Sequence, residues 1–138
     1  MKTVLCNGCF DVLHIGHVEH LNRAAELGDS LIVSLTVDNA VNKGPGRPIN
    51  KWSDRAAVLL ALRVVDGVIP TSSAVEAIRK VKPSVFCKGI DYSDGKQFTE
   101  DIAGACNETG AVLHFTYTAK RSVTQIIKDA NERDSKVR

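Results

Sequence analysis

No long hydrophobic run occurs in this chain. Its apolar stretches fall far short of the ~20 residues a membrane helix requires, and Met1-Lys2-Thr3 leads straight into a strand without the apolar core of a signal peptide. A membrane partner is excluded on this reading, and a cytoplasmic location is expected. Charge of one sign is also lacking. Eighteen Lys and Arg oppose sixteen Asp and Glu, and a net charge of +2 is too small for a general nucleic-acid binder. A small anionic ligand suits it better. The dinucleotide signature G-x-G-x-x-G is missing after the first apolar strand, which argues against an NAD-dependent dehydrogenase. No run of carboxylates marks out a metal site, leaving Asp11 as the sole sequence candidate for a magnesium ligand.

Cysteine is sparse, with four in 138 residues. Cys6-Asn7-Gly8-Cys9 is formally C-x-x-C, but Cys6 ends an apolar strand, whereas the first sulfur of a redox pair sits exposed at a helix start. Adding His14 and His17 gives a set that resembles zinc ligands on paper. The four-residue gap between its halves is much shorter than the ~12 residues usual in zinc fingers, so no metal site is expected. Cys87 and Cys106 read as buried free thiols.

What the chain does have is ordinary globular composition, 43% hydrophobic and 25% charged, enough for one domain over residues 1–138, with 134–138 as a frayed tail. Apolar runs alternate with helical periods. Residues 3–6 form a short strand, and Val18, Leu21, Ala24, Ala25 and Leu27 recur at helical spacing, with His14 ending the loop and His17 opening the helix. Gly28-Asp29 supplies the helix end and turn before a strand over 30–36. Residues 37–51, rich in Asn, Lys, Gly and Pro, form a loop. Ser53 caps a helix that ends before Val64; 68–70, 84–87 and 111–117 are strands; helices run from the Ser73 cap to Val81, from 100 to 109, and from the Ser122 cap to about Arg133. Pro83 and Gly110 close two of these helices. Such alternation predicts an α/β fold, a Rossmann-like parallel sheet of five strands with helices on both faces. Ligands of such sheets sit beyond the carboxyl ends of the strands, where residues 8–17, 37–47 and 88–92 all fall.

The most informative segment is Asn7-Gly8-Cys9-Phe10-Asp11 followed by His14-Ile15-Gly16-His17, placed where a strand gives way to a helix. Helix N-termini carry unpaired N–H groups and partial positive charge, which attract phosphate, and imidazoles there can donate further hydrogen bonds. Near the other end, Lys120-Arg121-Ser122-Val123-Thr124 offers a second anion site at a helix start. Lys43 and Arg47 lie in the Gly-Pro loop, within reach of a phosphate or solvated. Arg55 and Arg63 fall at helix ends, Arg63 with Asp66 as a possible ion-pair partner. Phe10 and Trp52 read equally well as packing residues, and His20, one turn beyond His17, as a half-exposed side chain.

G-x-F-D-x-x-H-x-G-H resembles the signature of the cytidylyltransferase-like nucleotidyltransferases. Gly8, Phe10, Asp11, His14, Gly16 and His17 fill every specified position. The likeness continues through Leu27-Gly28-Asp29, Lys43-Gly44-Pro45-Gly46-Arg47-Pro48-Ile49-Asn50, Arg63-Val64-Val65-Asp66, Lys88-Gly89-Ile90-Asp91-Tyr92 and Ser122-Val123-Thr124. It implies that His14 and His17, with Lys43, stabilise a pentacovalent transition state without a covalent intermediate. It further implies nucleotide contacts from Gly8, Cys9, Phe10, Asp11, Gly16 and Arg63, with Lys88, Gly89, Asp91 and Tyr92 lining the base and ribose pocket and Ser122 and Thr124 binding the outer phosphates. Val123 replaces a hydroxyl usual in the family. Magnesium as cofactor, a nucleoside triphosphate and a phosphorylated small molecule as ligands, and a homodimer are family expectations.

Within the family, K-G-P-G-R-P-I-N and K-G-x-D-Y are most similar to the adenylyltransferase domain of ADP-heptose synthase, although Ile90 replaces a glycine usual there and no sugar-kinase domain is fused. This resemblance implies ATP and a sugar phosphate, with CTP and glycerol 3-phosphate or another polyol phosphate as the near alternative. Readings of other classes are a metal-dependent hydrolase on Asp11, His14 and His17, and a nucleotide sensor without catalysis.

Overall fold

In the computed structural model, residues 1–90, 99–117, 127, 128 and 130–133 are described. Five parallel strands, β1 (Thr3–Gly8), β2 (Ser30–Thr36), β3 (Gly67–Thr71), β4 (Val85–Ile90) and β5 (Val112–Tyr117), form one sheet in the order β3-β2-β1-β4-β5. Between them run α1 (Ile15–Ala25), α2 (Trp52–Leu60), α3 (Ala74–Val81) and α4 (Thr99–Thr109), with a single 3₁₀ turn at Asp38–Ala40. Residues 127, 128 and 130–133 are helical, within the last helix expected; the Ser122 cap and the tail lie outside the described residues.

Strand alternation assigns the helices to two faces. Val4 and Cys6 of β1, Leu31, Val33 and Leu35 of β2 and Val85 and Cys87 of β4 pack with Leu21 and Ala24 of α1 and Ala56 and Leu59 of α2. Leu5 and Phe86 point the other way, onto Ala77 and Ile78 of α3 and Ile102, Ala105 and Cys106 of α4. A strand buried on both faces has no polar side to alternate with, which is why β1 reads as a continuous apolar run. The connections through α1 and α2 move outward to β3, and the one through α3 returns across β1 to start β4. The order therefore reverses between β1 and β4, and a crevice opens at their carboxyl ends.

Several boundaries differ from the sequence expectation, each for a local reason. His14, not His17, caps α1, which therefore begins at Ile15. α2 starts at Trp52 behind Lys51, one residue ahead of the expected Ser53 cap, because the Trp52 indole N–H donates to the Leu35 carbonyl at 2.9 Å and Asp54 and Arg55 N–H both reach the Lys51 carbonyl. α1 ends at a Glu26 cap, so Gly28 is not its terminator. Gly28 serves close approach instead: the Asp29 N–H donates to the Lys2 carbonyl at 2.7 Å, and a Cβ on Gly28 would stand 2.7 Å from that same oxygen. Ser73 caps α3 as expected, its hydroxyl accepting from Glu76 N–H, and Pro70 lies in the edge strand β3, where a missing N–H is tolerated.

Gly28→Ala is expected to destabilise the fold by about 1–3 kcal/mol, since the clash is with backbone that cannot swing aside. A denaturant titration against wild type measures it, and an unchanged midpoint would contradict this packing.

Candidate nucleotide-binding site

The β1–α1 turn is organised by its two histidines. His14 stands at the cap position in extended conformation, and its Nδ1 accepts from Gly16 N–H at 3.1 Å. His17, three residues on, returns the bond: its Nδ1 accepts from His14 N–H at 3.2 Å. This is a capping box built from imidazoles instead of the usual hydroxyl and carboxylate. The rings stack at 3.9 Å between centroids. Because each Nδ1 accepts, each neutral ring carries its proton on Nε2, on the side of the ring away from the cap.

Phe10 supports His17. Its backbone is held at φ 46°, in the left-handed region costly for an aromatic residue, and its ring meets the His17 ring edge-on at 5.3 Å. A Cβ on Gly8 would fall 2.8 Å from that ring. Gly8 thus makes room for Phe10, whose ring packs against His17.

Asp11 corrects a sequence expectation. Its carboxylate is buried and takes three hydrogen bonds: one oxygen accepts from Arg47 Nε at 2.8 Å and Ile49 N–H at 2.7 Å, the other from Asn50 N–H at 2.8 Å. Burial alone would raise its pKa, but the Asn50 and Ile49 N–H groups and Arg47 outweigh that, leaving it below the ordinary carboxylate value. Such a group does not fit a magnesium ligand. It is the anchor of the Gly-Pro loop, and it holds Arg47 away from the phosphate-reaching role considered for it. Among the described residues no group of three or more His, Cys, Asp and Glu side chains is placed to bind a metal.

Arg55 is the residue that sequence reasoning missed. Read there as lying at a helix end, it is 2% exposed and joins three segments of the site: Nε donates to the Asn50 carbonyl at 2.9 Å, one terminal nitrogen to the Cys9 carbonyl at 2.8 Å, and the other to Asp38 at 2.5 Å. A cation at the first turn of an amphipathic helix gives no signal that it faces inward. Cys9 lies beside these groups; burial pushes its thiol up, while Lys43, Arg55 and Arg47 pull the other way. Lys43 is exposed and makes no ion pair with a described residue.

The remaining expectations divide. Lys88 and Gly89 end β4 beside the same crevice, whereas Asp91, Tyr92, Ser122 and Thr124 lie outside the described residues. Arg63 is exposed and does not pair with Asp66, whose carboxylate accepts from Leu31 N–H at 2.8 Å. Cys6, Cys87 and Cys106 are buried free thiols, and Cys6 is pushed up by its hydrogen bond with Cys87 and by burial. His20 is not half-exposed: it is buried, with Nδ1 2.5 Å from Thr116 Oγ1 of β5. Asn7 was also passed over; its side-chain oxygen accepts from Ser34 at 2.5 Å and lies 3.5 Å from Thr71 Oγ1, a polar line across β1, β2 and β3.

Comparison with known proteins agrees with this geometry. A sequence profile of the cytidylyltransferase-like family matches residues 5–129. The chain belongs to that family. Its class is nucleotidyltransferase, as the motif implied. Similar curated proteins include the bifunctional protein HldE of Vibrio cholerae serotype O1 strain M66-2, 50% identical over 134 residues, and that of Vibrio atlanticus strain LGP32, 45% identical over 134 residues. Each alignment takes in 92% of this chain and 27% of the relative, so the chain spans about a quarter of their length. Among solved structures, a lipopolysaccharide core biosynthesis protein from Thermoplasma volcanium superimposes with a TM-score of 0.68 at 28% identity, covering 88% of this chain and 99% of the other. Thermotoga maritima TmcAL bound with alpha-thio ATP shares the fold, with a TM-score of 0.70 at 13% identity over 97% of this chain and 51% of its own. No helix among the described residues is long and apolar enough to cross a membrane.

Two predictions follow from buried groups. Burial, with Lys88 nearby, lowers the His20 pKa from 6.5 to about 4. The unfolded chain therefore binds the proton first, and stability that is intact above the unfolded pKa of 6.5 is lost as pH falls toward 4, by at most about 3 kcal/mol. The difference in stability between wild type and His20→Gln, followed by urea titration from pH 7 to pH 4, should shrink or reverse; a constant difference would contradict a buried neutral His20. For Asp11→Asn, an amide nitrogen would face N–H donors, and a loss of about 3 kcal/mol is expected, with faster hydrogen exchange at Ile49 and Asn50. Unchanged exchange there would show that Asp11 does not anchor the loop.

Proposed function

We propose that the chain joins a nucleoside triphosphate, ATP by preference, to a sugar phosphate with release of pyrophosphate. A phosphate oxygen of the acceptor attacks the α-phosphorus, the bond to the bridging oxygen breaks, and pyrophosphate leaves. Negative charge grows on the equatorial oxygens of the α-phosphoryl group, so donors fixed in advance lower the barrier. The observation that carries the reading is the reciprocal cap. It sets both rings at the start of α1 with Nε2 as the protonated nitrogen, beside backbone N–H groups that favour phosphate. Preformed rings cost little reorganisation when charge develops. Lys43 supplies the cation, and no protein nucleophile is required.

ATP is favoured by the resemblance of residues 43–50 and 88–92 to the adenylyltransferase domain of ADP-heptose synthase. A sugar phosphate acceptor is supported by a solved relative named for lipopolysaccharide core biosynthesis. The contacts carried over from the family, Gly8, Cys9, Gly16, Arg63, Asp91, Tyr92, Ser122 and Thr124 among them, belong to this proposal, as do a homodimer, a cytoplasmic location and one domain over residues 1–138. Magnesium is proposed as the counter-ion of the triphosphate, held by its phosphates, since Asp11 is spent on the loop.

Pyrophosphate release is to be measured with each of ATP, CTP, GTP and UTP against heptose 1-phosphate, other sugar 1-phosphates and glycerol 3-phosphate. Turnover is expected with ATP and a sugar 1-phosphate, and His17→Ala should lower it by roughly 10²–10³-fold. Turnover with CTP and glycerol 3-phosphate would move the assignment to a polyol-phosphate cytidylyltransferase, and nucleotide binding without release from any pair would favour a sensor. Lys43→Ala should reduce turnover at least about tenfold while leaving the melting temperature unchanged, because its head is exposed and makes no ion pair with a described residue. Arg47→Ala should lower both, and a Lys43 variant that behaved like it would remove Lys43 from the transition-state role.

A further inference from the structure

His20 lies one turn beyond His17 on α1, and its environment is unlike that of a packing residue. The ring is 8% exposed, yet it is hydrogen-bonded to a hydroxyl. Nδ1 is 2.5 Å from Thr116 Oγ1 near the carboxyl end of β5, and Thr116 in turn hydrogen-bonds Cys87 of β4. Gly89 of β4 faces the same ring. A Cβ there would stand 3.2 Å from His20 Nδ1, 3.3 Å from Cε1 and 3.4 Å from Cγ, so the imidazole occupies the space a side chain at position 89 would claim. One ring thus touches three elements, α1, β4 and β5, at the end of the sheet where the crevice opens.

The consequence is geometric. α1 carries the phosphate-binding turn at its start, and β4 carries Lys88 and Gly89 at its end, on opposite sides of the point where strand order reverses. Nothing in the backbone ladder sets the distance between a helix and a strand edge; side chains between them do. We propose that His20 is a positioning residue, a strut between Gly89 and Thr116 that sets the span from the phosphate-binding start of α1 to the Lys88-Gly89 end of β4. On the nucleotidyltransferase reading above, that span is the one a bound nucleotide must fit, from phosphates to base and ribose. The hydrogen bond to Thr116 fixes the ring plane, and the absent side chain at Gly89 lets β4 close onto it. The pair His20 and Gly89 is therefore a matched unit, a large residue facing none.

A double-mutant cycle on ATP affinity, read by calorimetry, tests this. His20→Ala removes the strut, Gly89→Ala pushes β4 off it, and each is expected to weaken ATP about tenfold. If the strut acts through Gly89, the double variant will be no weaker than the worse single variant, since an alanine at 89 meets nothing once the ring is gone. His20→Asn, which keeps atoms at the places of Cγ and Nδ1, should recover most of the affinity. Thermal melts of each variant report folding, and if His20→Ala does not fold, His20→Ser, which also removes the ring, replaces it in the cycle. Additive losses, or a lowered melting temperature with unchanged ATP affinity, would overturn the proposal and leave His20 as core packing. Wild type binding neither ATP nor CTP would overturn the nucleotide site itself, and the strut with it; wild-type binding with additive variants would overturn the strut alone.

Discussion

The exchange of hydrogen bonds between His14 and His17 is the constraint on which the rest of the site depends. It consumes one nitrogen of each ring, satisfies two backbone donors that the helix start would otherwise leave bare, and stacks the rings on one another. Ordinary capping residues would serve the helix as well. Imidazole accepts at one atom for the cap and still carries a proton at another, so structure and chemistry are served by opposite ends of the same ring. Gly16 is drawn in by the same requirement, since its N–H is the donor that holds His14. The surrounding motif follows in turn: Phe10 braces the His17 ring, and Gly8 is small because Phe10 is there.

A second tier of contacts ties loops to this turn. Arg55 grips Cys9, Asn50 and Asp38, and Asp11 grips Arg47, Ile49 and Asn50. Both are buried charges, and burying a charge is tolerated only where opposite charge and hydrogen bonds replace its water. Arg55 is satisfied by three segments of chain and Asp11 by three groups of one loop, so neither loop moves without exposing an unpaired ion. The loops of a nucleotide site are commonly mobile, and here they are held by the cost of leaving a charge dry and alone.

How much of this was legible in the sequence depended on the range of the interaction. The order of strands and helices could be read because periodicity is local, and the G-x-F-D-x-x-H-x-G-H run because a whole turn is encoded in consecutive residues. Ser73 was read as a cap correctly and Ser53 was not, because the start of α2 is decided by Trp52 reaching Leu35, seventeen positions away. Asp11 looked like a metal ligand because a carboxylate in a motif is indistinguishable from a free one until its partners at 47, 49 and 50 are seen. His20 and Arg55 carried no local sign of burial; each is buried through contacts with residues 96 and 46 positions distant.

The charge distribution decides which cation can act. Of the described residues Lys43, Arg47 and Arg55 lie near the turn, but Arg47 is neutralised by Asp11 and Arg55 by Asp38. A ligand that drew either guanidinium away would have to break these ion pairs, at the cost of a buried carboxylate losing its counter-charge in the case of Asp11. Lys43 has no such commitment, and its ammonium rides on a flexible stem in the loop that Asp11 anchors. The site therefore separates two tasks that arginine and lysine are suited to in different ways. Rigid forks build the frame, and a mobile point charge answers the phosphate. Among the described residues the helix terminus and Lys43 are the sources of positive potential at the start of α1 that the frame does not neutralise.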